Sequence, residues 1–219
     1  MGNVNIGPGA QRMPDVLPIF PLTSALLLPG CRLPLRIFEP RYLQMVDDAL
    51  AGDRLIGMIQ PTGSGTHEHD PDLQSVGCAG RIASLKEAEG GHYLASLVGI
   101  SRFEVIREIP SDRLYRLVEP QWERFTYDIG ATAPAEIDRE VLVANLRTYF
   151  ETFGLDANWR AIDDSGDEEL VNSLAMVCPF DNTEKQALLE APNLEHRSRL
   201  VIALMNMAVL QGGDSSTVH

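Results

Sequence analysis

An α+β fold, with a β-barrel or sandwich in the first half and a small helical bundle in the second, is predicted by one change of pattern along the 219 residues and by one exception to it. From Val16 to about Phe125 short β-like apolar runs alternate with turn residues. Beyond the segment "YDIGATAPA", residues 127–135, the apolar spacing becomes helical. The exception is one helix opened by Pro40 inside the β half. These breaks divide the chain into a tail at 1–13, a β subdomain at 14–126, a linker at 127–135, a helical bundle at 136–211 and a second tail at 212–219.

In order, "LPIFPL" and "RLPLRIF" supply the first strands. In "LRIFEPRYLQMVDDAL" Pro40 suits the first helical position, because its fixed φ matches a helix and its missing N–H would be an orphan there. Glu39 is then the cap residue, and Phe38 and Leu43 have the spacing of a hydrophobic staple. Tyr42, Met45, Val46, Ala49 and Leu50 form one apolar face, while Gln44, Asp47 and Asp48 point elsewhere. Three more strand runs follow, "RLIGMIQ", the long stretch from Val76 to Ile109, and "YRLVEPQWE". Glu89-Gly90-Gly91 splits the long stretch into a hairpin, since glycine supplies the positive φ that tight turns need. Apolar residues on both faces of "RFEVIREI" predict a well-covered strand.

In the second half Ile137, Val141, Leu142, Leu146, Tyr149, Phe150 and Phe153 lie on one stripe that stops at Gly154. Leu170, Leu174 and Val177 mark a helix ended by Pro179. Thr183 and Gln186 have capping-box spacing for the next helix, and Asn193 can cap the last.

Charge excludes several partner classes. With 18 basic against 31 acidic residues the net charge is −13, which repels phosphate backbones and anionic lipid, so nucleic acid and acidic membranes are not expected partners. The start lacks the apolar core of a signal peptide, Ile6 stands where a myristoylation site needs Ser or Thr, and no run approaches the ~20 apolar residues of a membrane helix. Cys31, Cys78 and Cys178 are far apart and outside any Cys-x-x-Cys pair, which fits buried thiols in a reducing, cytoplasmic setting.

Catalytic patterns fail individually. Gly63 and Gly65 in "PTGSGTHEHD" have no Lys and no helix behind them, so they do not cradle phosphate. Ser101 follows Gly99 but has Phe103 where a nucleophile elbow needs a second glycine. His67 and His69, with Glu68, Asp70 and Asp72, are the one tempting metal cluster, yet they occupy a Gly- and Pro-flanked loop with no third fixed ligand. Adjacent acids such as Asp47-Asp48 diverge by about 100° on a helix and cannot act as a dyad. No cofactor, metal or catalytic residue is therefore expected.

The order of motifs carries a family resemblance. "LPIFPLTSALLLPGCRLPLRIFEPRYLQMVDDAL", then "RLIGMIQ", "VGCAGRIASL", "YLASLVGISRFEVIRE" and "YRLVEPQWE", resembles the N-terminal LON domain that recognises substrates in ATP-dependent Lon proteases. Leu17, Phe20, Pro21, Leu22, Pro29, Gly30, Pro34, Leu35, Phe38, Glu39, Arg41 and Tyr42 stand where that pattern has such residues, and "VCPFDNTEKQALLEAPNLEHRSRL" resembles the family's following helices, so the likeness covers most of 14–210. It implies a PUA-like β-barrel beside a helical bundle, acting as a non-catalytic protein-binding module without the family's ATPase and Ser-Lys protease modules: a stand-alone LON-domain protein and candidate quality-control adaptor. Expected partners are unfolded or specific polypeptides, with a separate protease as a further candidate. The proposed contacts are Leu26, Leu27 and Leu28 with Phe38, Glu39, Arg41 and Tyr42. The competing reading is a small-molecule or metal-dependent enzyme on the same barrel, using Glu39, Arg41, His67 and His69.

Overall fold

The computed structural model describes residues 13–62, 71–129 and 135–215. Contacts divide the chain into two units, Met1–Thr132 and Ala133–His219. The first holds six strands, β1 (Leu17–Pro21), β2 (Arg32–Ile37), β3 (Leu55–Pro61), β4 (Leu73–Ala88), β5 (His92–Ile109) and β6 (Leu117–Gln121), with one helix, α1 (Pro40–Ala51). Their order in the sheet is β2-β5-β4-β3-β1-β6, and β6 also pairs with β5. The ladder thus returns on itself through β5, β4, β3, β1 and β6, which is barrel closure, while β2, among the described residues, pairs with β5 alone and remains an edge.

β5 permits this by serving two neighbours in turn. Its first half pairs with β2 (Ile37↔Tyr93 to Arg32↔Val98), and its second half with β6 (Glu104↔Gln121 to Ile109↔Leu117). Leu17, Ile19, Leu55, Ile59, Ala79, Phe103 and Val118 fill the space within. The hairpin between β4 and β5 turns at Gly90 and Gly91 with φ of 84° and 73°, the left-handed values that the sequence pattern required. In β5 one expectation fails. Ile106 is 54% exposed, because the register with β6 shifts between Val105 and Arg107 and that irregularity turns the side chain outward.

α1 forms as its sequence dictates, with Pro40 in the first turn and Tyr42, Met45, Val46 and Ala49 buried. The staple does not form as a covered pair, since Phe38 is 57% exposed with its ring centroid 6.1 Å from that of His92. Asp128, placed in the linker by composition, belongs to the first unit. Its carboxylate accepts from the backbone N–H and the guanidinium of Arg102, a side chain only 2% exposed.

The second unit is helical: α2 (Arg139–Phe153), α3 (Trp159–Asp164), α4 (Asp167–Val177), α5 (Asn182–Glu190) and α6 (Leu194–Ser215). Asp138 and Asn158 cap α2 and α3, and Gly154 ends α2 with φ 61°. The capping box of α5 is Asp181 with Glu184, not Thr183 with Gln186, because Thr183 already lies inside the helix whereas Asp181 has the extended backbone a cap requires. Asn193 accepts from the His196 amide at 3.0 Å as expected, and α6 then runs through Gly212 to Ser215 instead of ending at 211. Leu142, Leu146, Leu170, Leu188 and Val201 form the buried faces, with Arg197 inside them donating to Asn172 Oδ1 (2.9 Å) and the Leu188 carbonyl (3.0 Å). Among the described residues no helix is long and apolar enough to cross a membrane.

Candidate functional site

The first unit contains a cleft of about 690 Å³ whose walls come from four places: the end of β1 (Phe20–Thr23), β2 and the start of α1 (Pro34–Arg41, Tyr42), Pro61 and Pro71, and the turn between β5 and β6 (Glu108–Leu117). Sequence order explains the first walls. Pro40 makes the chain turn from β2 into α1 within three residues, and that turn delivers Phe38, Glu39, Arg41 and Tyr42 to one rim. Glu39 occupies the cap position but makes no capping bond; its carboxylate instead accepts from Arg41 Nε at 2.9 Å and pairs with Nη2 at 2.8 Å. Arg41 also lies over the Tyr42 ring at 4.5 Å, and Tyr42 stacks on Phe20 with centroids 4.1 Å apart. Burial is the main cause that pushes the Tyr42 phenol above its ordinary pKa, with Arg41 opposing it.

The opposite wall is held by the polar side of α1. Gln44 Oε1 accepts from the Leu114 amide at 3.1 Å, and Asp48 accepts from the Tyr115 hydroxyl at 2.8 Å and pairs with Arg113. Arg113 Nη1 in turn donates to the Tyr115 oxygen at 2.9 Å. Burial, followed by the hydrogen bond to Asp48, pushes the Tyr115 phenol up to about 12. Arg116 pairs with Glu108 and donates to the Pro71 carbonyl at 2.6 Å. Leu114, the middle of this polar scaffold, stays 63% exposed.

The seven contact residues expected from sequence separate into two groups. Phe38, Glu39, Arg41 and Tyr42 line the cleft together. Leu26, Leu27 and Leu28 do not: they are 3%, 1% and 0% exposed, and so belong to the core. Backbone pairing is the reason. Gly30 donates to the Gly99 carbonyl (2.9 Å), Gly99 to the Cys31 carbonyl (2.9 Å) and Cys31 to Leu28 (3.1 Å), which fastens the segment against β5 with its side chains inward. A methyl carbon on Gly99 would lie 2.8 Å from the Leu28 carbonyl carbon and closer still to its oxygen, so only glycine permits this approach.

Of the competing polar set, Glu39 and Arg41 are committed to each other, and His67 and His69 lie outside the described residues. No group of three His, Cys, Asp or Glu among the described residues is placed to hold a metal ion. Both phenols keep their protons at neutral pH, Tyr115 donating to Asp48, so what the cleft offers is stacking, apolar contact and polar groups for recognition. Sequence reasoning missed Phe20, Arg36 and the whole β5–β6 wall. The available signal was "IPSDRLYR", a Pro-Ser-Asp turn followed by a large apolar residue between an arginine and a tyrosine.

Comparison with known proteins gives a consistent picture. The family model described as the ATP-dependent protease La (LON) substrate-binding domain matches residues 16–207. A Lon protease of Syntrophus aciditrophicus (strain SB) is 26% identical over 208 residues, covering 89% of this chain and 25% of that protein. Lon protease 2 of Myxococcus xanthus is 28% identical over 206 residues, covering 90% of this chain and 24% of its own length. The chain thus spans about a quarter of these relatives. Among solved structures, the Lon N-terminal domain protein from Xanthomonas campestris superposes with a TM-score of 0.61 at 23% identity, covering 86% of this chain and 97% of that one. The N-terminal domain of the Mycobacterium avium complex Lon protease gives 0.58 at 17%, covering 87% and 98%.

Proposed function

The chain belongs to the LON substrate-binding domain family, and from that premise we propose that it is a non-catalytic polypeptide-recognition module whose cleft between α1 and the β5–β6 turn holds segments of unfolded protein. The observation that carries this reading is the exposure of two large apolar side chains lining one cleft, Phe38 at 57% with its ring near His92 and Leu114 at 63% with its amide held by Gln44. A native fold leaves such groups in water at a cost, and a concave apolar site ringed by polar groups is the usual form of a binding pocket. Tyr42 and Phe20 add a stacked aromatic floor that can take a further side chain. Delivery of the captured segment to a separate protease, as an adaptor in quality control, is the cellular role in keeping with this chemistry.

The test is binding of a fluorescein-labelled, permanently unfolded polypeptide, such as reduced and carboxymethylated lactalbumin, followed by anisotropy. Phe38→Asp and Leu114→Asp should each weaken binding by roughly tenfold or more, the scale of a hot-spot contact, with the circular dichroism spectrum unchanged because both side chains are already exposed. Unchanged affinity in the double variant would refute the location of the site.

A further inference from the structure

Four arginines line the cleft, Arg36, Arg41, Arg113 and Arg116. Three are matched by carboxylates: Arg41 by Glu39, Arg113 by Asp48 and Arg116 by Glu108. Arg36 is different. Its guanidinium meets the imidazole Nδ1 of His92 at 3.3 Å, and among the described residues no carboxylate is paired with it. It is exposed, it lies on the same face of β2 as Pro34, and Phe38 follows two residues later with its ring also near His92. The adjoining N-terminus of α1 carries Glu39 at its cap, but that carboxylate is matched by Arg41, so the charge left over at this rim is that of Arg36. All this occurs on a chain whose net charge is −13, where an unmatched cation beside an exposed aromatic ring stands against the prevailing field.

We propose that the cleft selects polypeptide segments in which a large apolar residue is accompanied, about two positions away along an extended chain, by a carboxylate, with Phe38 taking the apolar side chain and Arg36 the acid. The proposal rests on the recognition function argued above and gives its substrate class. Spacing follows from strand geometry: side chains two residues apart on an extended segment point the same way, as do positions 36 and 38 of the rim they would face. Electrostatic matching of this kind sets specificity more than gross affinity.

The experiment uses the full chain and three fluorescein-labelled 12-residue peptides that share one central Phe and differ only two positions before it, with Glu, Gln or Lys. In low salt the Glu peptide should bind about three- to fivefold more tightly than the Gln peptide, with Lys weakest, as expected for one partly exposed ion pair. In 0.5 M NaCl the three should converge. Arg36→Gln should abolish the preference and Arg36→Glu should invert it toward Lys; position 36 is exposed, and thermal melting checks that both variants fold. Equal affinity of the three peptides, or a preference that survives Arg36→Glu, would overturn the proposal while leaving polypeptide binding intact. Absence of binding by every peptide and by the unfolded polypeptide would overturn both readings together.

Discussion

Replacing Asp128 by Ala should destabilise the first unit more than any other single loss of an ion pair in it. Arg102 is 2% exposed and Asp128 6%, and the carboxylate accepts the Arg102 backbone N–H and Nε at 2.9 Å each and Nη2 at 2.8 Å. Phe125 and Tyr127 cover the guanidinium, at 4.6 and 5.4 Å from their ring centroids. Removing the acid strands a cation in a site that water does not reach readily, a situation that costs about 3–5 kcal/mol. A domain of this size has roughly 5–15 kcal/mol in all, so at least about a fifth of the stability is at stake. Exposed pairs such as Arg107–Glu119 should each contribute no more than about 1 kcal/mol. The assay is equilibrium urea unfolding in a Trp159→Phe background, where the remaining Trp122, packed 5.8 Å from Phe103, reports on the first unit alone. Arg102→Met with Asp128→Leu should recover most of the loss, the part due to the stranded charge, and leave about 1–3 kcal/mol for the residue-102 amide, which still lacks its acceptor. A loss below about 1 kcal/mol in Asp128→Ala would refute the reasoning.

Further outcomes follow from packing and titration. Gly99→Ala should lower stability by about 3 kcal/mol or prevent folding, since the obstruction is the Leu28 backbone and not a flexible side chain; thermal melting measures it. Tyr115, with its folded pKa raised to about 12 above an ordinary 10.0, stabilises the protein fully below pH 10, and that contribution is lost as pH rises toward 12. Tyr115→Phe should therefore show a shallower fall in melting temperature over that window. Burial pushes the Cys178 thiol up to about 11, and Cys78 is also buried, so brief iodoacetamide treatment at pH 8 should label the half-buried Cys31 first, as read by mass spectrometry.

Legibility followed the range of the interactions concerned. Short-range rules placed every strand, the Pro40 start of α1, the Gly90-Gly91 turn and the Gly154 stop, because each depends on neighbours within a few residues. α3 escaped notice since six residues are too few to display a period, although Asn158 caps it. Barrel closure, which needs β6 to meet both β1 and β5, has no local signature; it came from the family likeness. Asp128 shows the same limit, reading as linker by composition while its partner stands on β5.

Leu26–Leu28 and Phe38 make the sharpest contrast, because the sequence treats them alike as apolar residues beside a turn. Their fates diverge through a glycine far along the chain: Gly99 lets the leucine segment lie directly on β5, whereas among the described residues nothing comparable covers Phe38. Glu39 and Arg41 resolve in a related way. They hold a joint, since each neutralises the other at the strand-to-helix turn, and by doing so they leave the rim's remaining charge to Arg36. A joint that is internally neutral does not compete for a ligand bound beside it, so Glu39 and Arg41, which hold the turn, can directly follow Arg36 and Phe38, the residues we propose for recognition. Sequence spacing alone cannot separate them, because the distinction lies in which carboxylate each arginine finds in three dimensions.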